Sequence, residues 1–90
     1  MKVAKRFVVH GKVHGVGYRA FAVTCAEALK LDSWVRNAPD GTVETVVEGT
    51  PEQLKEFAFD LSRGARYARV IRIEQFDAPL EGLSGFGIRK

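Results

Sequence analysis

Hydrophobic and polar side chains alternate along the first part of the chain. One side of residues 3–13 is apolar and carries Val3, Phe7, Val9 and Val13, while the other carries Arg6, Val8, His10 and Lys12. A period of two predicts a strand that buries one face. Similar short runs predict strands over 33–37, 42–48 and 69–77, the first two joined by a turn at 38–41. A last short strand contains Phe86 and Ile88.

Two further segments have helical spacing. Residues 19–31 are rich in alanine, and we expect their buried stripe to hold Phe21, Cys25, Ala28 and Leu29. The second helix begins after Thr50, a good N-cap that Gln53 completes as a capping box, and Gly64 is a plausible stop. Its predicted apolar face consists of Leu54, Phe57, Ala58 and Leu61.

The order β-α-β-β-α-β, with a short extra C-terminal strand, predicts one α+β domain over residues 1–90. We expect a ferredoxin-like sandwich, with two helices on one face of a mostly antiparallel sheet. In that arrangement strands 1 and 2 run parallel with strand 3 between them. The loop after strand 1 and the end of strand 2 then open on the same edge, where residues from both can meet around a small ligand.

Composition narrows the class of protein. Ninety residues with 46% hydrophobic and 28% charged content suit a single globular domain. The single cysteine, Cys25, excludes an internal disulfide, and we interpret it as a small buried hydrophobic residue. The longest apolar runs are too short to cross a membrane, and the N-terminus lacks a signal-peptide core, so we expect a cytoplasmic protein. A net charge of +3 is compatible with an anionic ligand.

The loop between strand 1 and helix 1 is the most informative segment. Gly15 and Gly17 allow the backbone to curl with its N–H groups pointing inward, as in anion-binding nests. The loop leads into a helix N-terminus, which favours phosphate, and the planar fork of Arg19 matches two phosphate oxygens. The segment lacks the Lys-Ser/Thr ending of a Walker loop. A tight turn with a solvated arginine would give the same short pattern.

Residues 11–19 nevertheless resemble the acylphosphatase signature, Gly-X-Val-Gln-Gly-Val-X-Phe-Arg. A second signature follows at Trp34-Val35-Arg36-Asn37, Asp40-Gly41-Thr42-Val43 and Glu48-Gly49, and the last strand carries Phe86-Gly87-Ile88-Arg89. The resemblance covers nearly the whole chain, and its two separated motifs make it specific. The family's fold is the same βαββαβ sandwich.

The resemblance implies hydrolysis of a small-molecule acyl phosphate to a carboxylate and inorganic phosphate, without metal or cofactor. The family's phosphate-binding positions correspond to Gly15, Val16, Gly17, Tyr18 and Arg19. The asparagine that positions the attacking water corresponds to Asn37. Because a carboxylate leaves readily, no general acid is needed, and we expect the water's proton to pass to the substrate's own phosphate oxygen.

The sequence also departs from the family pattern. His14 replaces glutamine, Tyr18 replaces phenylalanine, Lys30 and Ser33 replace glycines, and Ala38 replaces a small hydroxyl residue. We interpret His14 as structural support and Tyr18 as a mild aromatic replacement. Asp40 is expected to cap its own turn, and His10 to be solvated.

Two alternatives stay open on the sequence alone. One is a phosphate-binding module without turnover. The other is a nucleic-acid-binding module on the same fold, which the lack of aromatic residues among Arg6, Val8, His10 and Lys12 makes the weaker of the two. The regularly spaced arginines 63, 66, 69 and 72 are interpreted as a solvated surface, and a monomer is expected.

Overall fold

The computed structural model describes residues 1–89, so Lys90, which the predicted domain includes, lies outside the described residues. The elements follow the predicted order. They are β1 (Val3–Lys12), α1 (Tyr18–Ala28), β2 (Asp32–Asn37), β3 (Val43–Gly49), α2 (Pro51–Arg63), β4 (Arg69–Ala78) and β5 (Phe86–Arg89). Neither helix within these residues is long and apolar enough to cross a membrane.

The five strands form one sheet in the order β4-β1-β3-β2-β5. All neighbouring strands are antiparallel except β2 and β5, which are parallel. Because β3 pairs antiparallel with both β1 and β2, the latter two run in the same direction. The two helices cover one face of this sheet, and the predicted ferredoxin-like α+β fold is confirmed.

The hydrophobic core lies between the helices and the sheet. Phe7 of β1 and Phe57 of α2 meet edge to face at its centre, with ring centroids 5.6 Å apart. Both rings are fully buried, and burial of such side chains is the main stabilising contribution of the fold. The other buried core residues outside α1 are Val9, Val13, Leu31, Val35, Val43, Val47, Leu54 and Leu61.

The buried stripe of α1 overlaps the predicted one only in part: Cys25 is buried as predicted. The prediction is wrong for Ala28, which is exposed, while Phe21 and Leu29 are only partly buried. The helix begins one residue before the predicted start, and alanines around its circumference leave its rotation poorly specified by sequence. The buried positions follow the i, i+4, i+7, i+8 pattern, namely Tyr18, Ala22, Cys25 and Ala26.

The C-terminus of α1 is a tight left-handed stop. The helix ends at Ala28, three residues before the predicted Leu31, because Lys30 adopts φ 58°. The N–H of Leu31 donates to the carbonyl of Ala26 at 2.9 Å, and that of Lys30 donates to Glu27 at 3.0 Å. These two bonds form a Schellman motif, in which glycine is the favoured left-handed residue. Lysine at this position therefore carries backbone strain.

Helix α2 begins with the predicted capping box. The N–H of Gln53 donates to the hydroxyl of Thr50 at 3.2 Å, and the Gln53 side-chain oxygen accepts from the N–H of Thr50 at 2.9 Å. The Gln53 amide also donates to the carbonyl of Leu29 at 3.0 Å. The start of α2 is thus tied to the end of α1.

The segment between β4 and β5 carries the chain from one edge of the sheet to the other. The buried carboxylate of Glu48, on β3, accepts from the N–H groups of Glu81 and Leu83 at 2.6 and 2.9 Å. The carboxylate of Asp32, on β2, accepts from the N–H of Gly85 at 3.0 Å. These charge-assisted bonds fix the crossing segment and place β5 beside β2.

Candidate active site

The carboxyl ends of three strands, β1, β2 and β5, lie at the same end of the sheet. β1 and β2 run parallel, and β5 runs parallel to β2 with Val35 opposite Ile88. Their carboxyl ends therefore converge near the start of α1, which follows β1 after a short loop. This convergence brings residues from four elements into one place.

The loop before α1 depends on two left-handed glycines. Gly15 has φ 69° and Gly17 has φ 78°, and a Cβ added to either would meet nothing within 4 Å. Backbone conformation, and not lack of space, thus favours glycine here. The first hydrogen bond of α1 runs from the N–H of Phe21 to the carbonyl of Gly17 at 3.1 Å. The amides of residues 18–20 precede that bond and point out of the helix N-terminus, where an anion is favoured.

A small pocket of about 180 Å³ opens at this edge. Its walls include Gly15, Gly17, Arg19, Asn37 and Ile88, which come from the loop, α1, β2 and β5. The pocket lining includes five of the six predicted site residues. Tyr18 is one of them, but its ring is buried below the surface.

Val16 does not line the pocket; its side chain packs against the core. Only its backbone is left to contribute to an anion site.

A larger groove of about 410 Å³ lies between α2 and strands β1 and β4 and contains Lys5, Lys55 and Asp77. None of the predicted site residues lines that groove, so size alone does not mark the candidate site.

Arg19 supplies the positive charge of the pocket. It is partly buried, and within residues 1–89 its guanidinium forms no ion pair with an acidic side chain. An arginine beside a helix N-terminus and without an acidic partner combines two contributions that attract an anion. Both features favour a negatively charged group in the pocket.

Asn37 ends β2 on the opposite side of the pocket. Its side-chain oxygen Oδ1 is buried and has no hydrogen-bond partner among the described residues. Buried acceptors are nearly always paired, so this atom keeps an unused capacity to accept a hydrogen bond. A water molecule or a hydroxyl group has the required chemistry.

A turn behind Asn37 holds the end of β2 in place. The carboxylate of Asp40 accepts from the hydroxyl and the N–H of Thr42 at 2.6 and 3.1 Å, which confirms its expected capping role. The bond from the Thr42 hydroxyl is the main reason that the pKa of Asp40 lies below its usual value. Nε2 of His14 donates to the carbonyl of Thr42 at 2.8 Å, as does the N–H of Ala38. His14 thus joins the glycine loop to this turn, as expected of a structural residue.

Tyr18 does more than replace one aromatic ring with another. Its buried hydroxyl donates to the carbonyl of Leu61 at 2.8 Å and so joins α1 to α2. Burial, with a smaller contribution from the nearby Cys25, raises the pKa of Tyr18 well above its usual range. Burial also raises the pKa of the Cys25 thiol. Both groups stay protonated at neutral pH and act as core residues.

The open face of the sheet carries charges that are already paired. Arg6 and Arg36 both bind Glu44, at 2.9 and 2.6 Å. Arg6 also lies over the ring of Phe76, which contributes the aromatic surface that the sequence did not place on this face. A compensated network of this kind gives little attraction for a nucleic-acid backbone. The regularly spaced arginines are exposed as predicted, namely Arg63, Arg66, Arg69 and Arg72.

Two carboxylates away from the pocket, those of Glu74 and Asp32, are stabilised in their charged form. Nε2 of His10 lies 2.7 Å from Glu74, so His10 is paired and only partly exposed, not simply solvated as expected. This hydrogen bond lowers the pKa of Glu74. The pKa of Asp32 is also lowered, mainly by the hydrogen bond from Lys2 at 3.0 Å. The hydrogen bond from the backbone N–H of Gly85 makes a smaller contribution.

None of Val13, Ala20 and Ile88 was assigned to the pocket from the sequence, and Ile88 comes from the most distant part of the chain. It lies on β5, and its side chain is 55% exposed. The sequence motif contains Ile88, but nothing in the residues indicated that the last strand would pair parallel to β2 and end beside Asn37. Only the three-dimensional pairing places this apolar side chain at the pocket.

Comparison with known proteins agrees with the sequence motifs. Residues 5–88 match the family model described as Acylphosphatase. A protein named Acylphosphatase from Pseudomonas paraeruginosa is 48% identical over 82 residues, which cover 91% of this chain and 90% of the relative. One of the same name from Thermococcus kodakarensis is 41% identical over 88 residues, covering 97% and 96% of the two chains.

Among solved structures, the crystal structure of acylphosphatase from Bacillus subtilis superposes with a TM-score of 0.94. It is 35% identical to this chain, and the alignment covers all of both chains. Sequence, family model and fold thus agree over almost the whole length. The chain belongs to the acylphosphatase family and is an enzyme that hydrolyses acyl phosphates.

Proposed function

We propose that this pocket is where the hydrolysis takes place, with Arg19 and Asn37 as its catalytic residues. The observation that carries the proposal is that two groups without bonding partners line the same pocket. Arg19 is a cation without an acidic partner within residues 1–89, and Asn37 Oδ1 is a buried acceptor without a donor there. One group is suited to a phosphate and the other to a water molecule.

The phosphate group binds at the start of α1. The backbone N–H groups from Gly15 to Arg19 surround it, including those of Val16 and Tyr18, whose side chains face the core. The fork of Arg19 binds two of its oxygens. These groups are fixed before the substrate arrives, so they stabilise the charge of the transition state without reorganisation.

The attacking water donates one hydrogen bond to Asn37 Oδ1 and turns a lone pair towards phosphorus. A bond forms between the water oxygen and phosphorus, while the bond from phosphorus to the carboxyl oxygen breaks and its electron pair leaves with the carboxylate. The transition state is loose, so the water needs little activation before it attacks. Its proton passes to an oxygen of the transferred phosphate, giving inorganic phosphate.

This route needs no carboxylate base or protonated acid from the protein. The nearby carboxyl group of Asp40 is held by Thr42 and lines a groove on the open face, not the pocket. Asn37 is uncharged and orients the water without removing its proton. Both observations support proton transfer to the substrate.

The test measures phosphate release from acetyl phosphate and benzoyl phosphate in the presence of EDTA. We expect wild type to remain active in EDTA. Arg19→Ala should reduce kcat/KM by about 10³-fold, the range found for arginines that stabilise transferring phosphoryl groups. Arg19→Lys should also be impaired because a point charge does not reproduce a two-pronged contact.

Arg72→Ala is the control, because it removes the same charge from an exposed strand position. It should leave kcat/KM unchanged. Full activity of Arg19→Ala, or loss of wild-type activity in EDTA, would contradict the proposal.

We also propose that the protein acts as a cytoplasmic monomer, since one chain supplies every residue of the pocket. Its elution volume in gel filtration tests the oligomeric state.

A further inference from the structure

The side of the pocket next to Asn37 is apolar. Ile88 on β5 lies opposite Val35 of β2, and Asn37 is two residues further along β2 on the same face. Ile88 and Asn37 both line the pocket. Of the other apolar residues that line the pocket, Val13 and Tyr18 are buried, and Ala20, in the first turn of α1, is exposed.

On the β5 side of the pocket, Ile88 presents exposed hydrocarbon surface next to Asn37. A hydrocarbon surface offers a water molecule no hydrogen bond. Ile88 therefore offers no competing hydrogen bond to a water held at Asn37 Oδ1. The water keeps its interactions with Asn37 and with the phosphate bound at the start of α1.

In-line displacement places the attacking water and the leaving carboxylate on opposite sides of phosphorus. Since the water lies at Asn37, the acyl group departs from the side away from Asn37 and its neighbour on β5. This geometry assigns Ile88 to the water and not to the acyl group.

We propose that Ile88 is a positioning residue for the hydrolysis, acting through the water that Asn37 holds. This inference rests on the proposed function. A polar side chain at position 88 would offer a second hydrogen bond and turn the water's lone pair away from phosphorus. An apolar side chain of similar shape would preserve the orientation.

The test compares Ile88→Val with Ile88→Thr. Valine and threonine have the same shape and both suit a strand, and they differ by a hydroxyl group in place of a methyl group. We expect Ile88→Val to keep kcat within about twofold of wild type. Ile88→Thr should lower kcat by about three- to tenfold, the effect of one competing hydrogen bond. The inhibition constant of inorganic phosphate should be the same in all three proteins, because the phosphate contacts are elsewhere.

Phe86→Ala is the matched control, because Phe86 lies two residues away on the same face of β5 and outside the pocket. It should not change kcat. Equal kcat for the valine and threonine variants, or a phosphate inhibition constant that rises in parallel with the loss of activity, would overturn the role of Ile88. A changed ratio of kcat/KM for acetyl and benzoyl phosphate, with kcat itself unchanged, would show that Ile88 contacts the acyl group. That result would also overturn the proposed role of Ile88.

These outcomes are separate from failure of the proposed function. If wild type hydrolyses neither substrate, the proposed function fails and this inference is overturned with it. If wild type is active and the two Ile88 variants behave alike, the pocket is still the active site and only the inference about Ile88 fails.

Discussion

Replacing Asn37 by alanine separates water positioning from phosphate binding. The change removes an acceptor whose Oδ1 has no partner among the described residues, while the backbone pairing of position 37 with Val43 remains. We therefore expect the free energy of unfolding to change by no more than about 0.5 kcal/mol. The loss of one preorganised group should lower kcat by about 10²–10³-fold, or about 3–4 kcal/mol of transition-state stabilisation. The inhibition constant of inorganic phosphate should stay within about twofold, since removing a group that does not touch the phosphate leaves its binding energy intact.

Initial rates with benzoyl phosphate, competition by inorganic phosphate and urea denaturation measure these three quantities on the same preparation. Asn37→Asp is the informative companion, because it keeps the shape of the side chain and adds a negative charge beside the bound anion. That variant should weaken phosphate binding as well as turnover. If Asn37→Ala weakens phosphate binding as much as it lowers kcat, Asn37 binds phosphate and the assignment of the water to it is wrong.

Three further predictions concern stability. Tyr18→Phe removes the hydrogen bond to Leu61 and should lower the free energy of unfolding by about 1 kcal/mol with unchanged kcat, measured by urea denaturation and initial rates; an unchanged urea midpoint would contradict it. Lys30→Gly should relieve the strain of the left-handed backbone at the end of α1, partly offset by the greater entropy of glycine in the unfolded state. The free energy of unfolding should rise by about 0.5 kcal/mol, and a lower urea midpoint would refute this account. Asp32 and Glu74 have pKa values below the ordinary 3.8 and 4.5, so the folded state binds fewer protons than the unfolded state. Their contribution to stability is complete above about pH 5 and is lost as the pH falls through the folded values; the urea midpoint should therefore be lower at about pH 3 than at pH 7, with a smaller difference in Asp32→Asn.

The order of elements was predictable because the signals for it are local. Alternation marked the strands, and the reciprocal bonds of Thr50 and Gln53 gave α2 a recognisable start. The face of α1 was not predictable in the same way. Alanine is small and tolerated on every side of a helix, so packing against α2, including the hydroxyl of Tyr18, decides the rotation.

The candidate site was predictable as far as its residues belong to continuous motifs. Gly15, Gly17 and Arg19 are adjacent in sequence, and Asn37 lies at the end of a strand that the fold places beside them. Lys30 shows the limit of such reasoning. The predicted helix ran through Lys30 to Leu31, whereas the left-handed backbone of Lys30 ends the helix at Ala28 and lets the carbonyls of the last turn be satisfied.

The wall that Ile88 forms depends on residues at the far end of the sheet. β5 has only four residues and pairs along one side alone, so its own hydrogen bonds hold it weakly. Its position is fixed by the preceding crossing segment, which Glu48 and Asp32 bind through three backbone N–H groups. Both carboxylates lie at the end of the sheet opposite to Asn37, since Asp32 begins β2 and Asn37 ends it. The acidic residue of the Glu48-Gly49 motif therefore belongs to the architecture of the pocket without touching it. No pattern in the sequence reveals this role, because the partners are backbone groups more than thirty residues away along the chain.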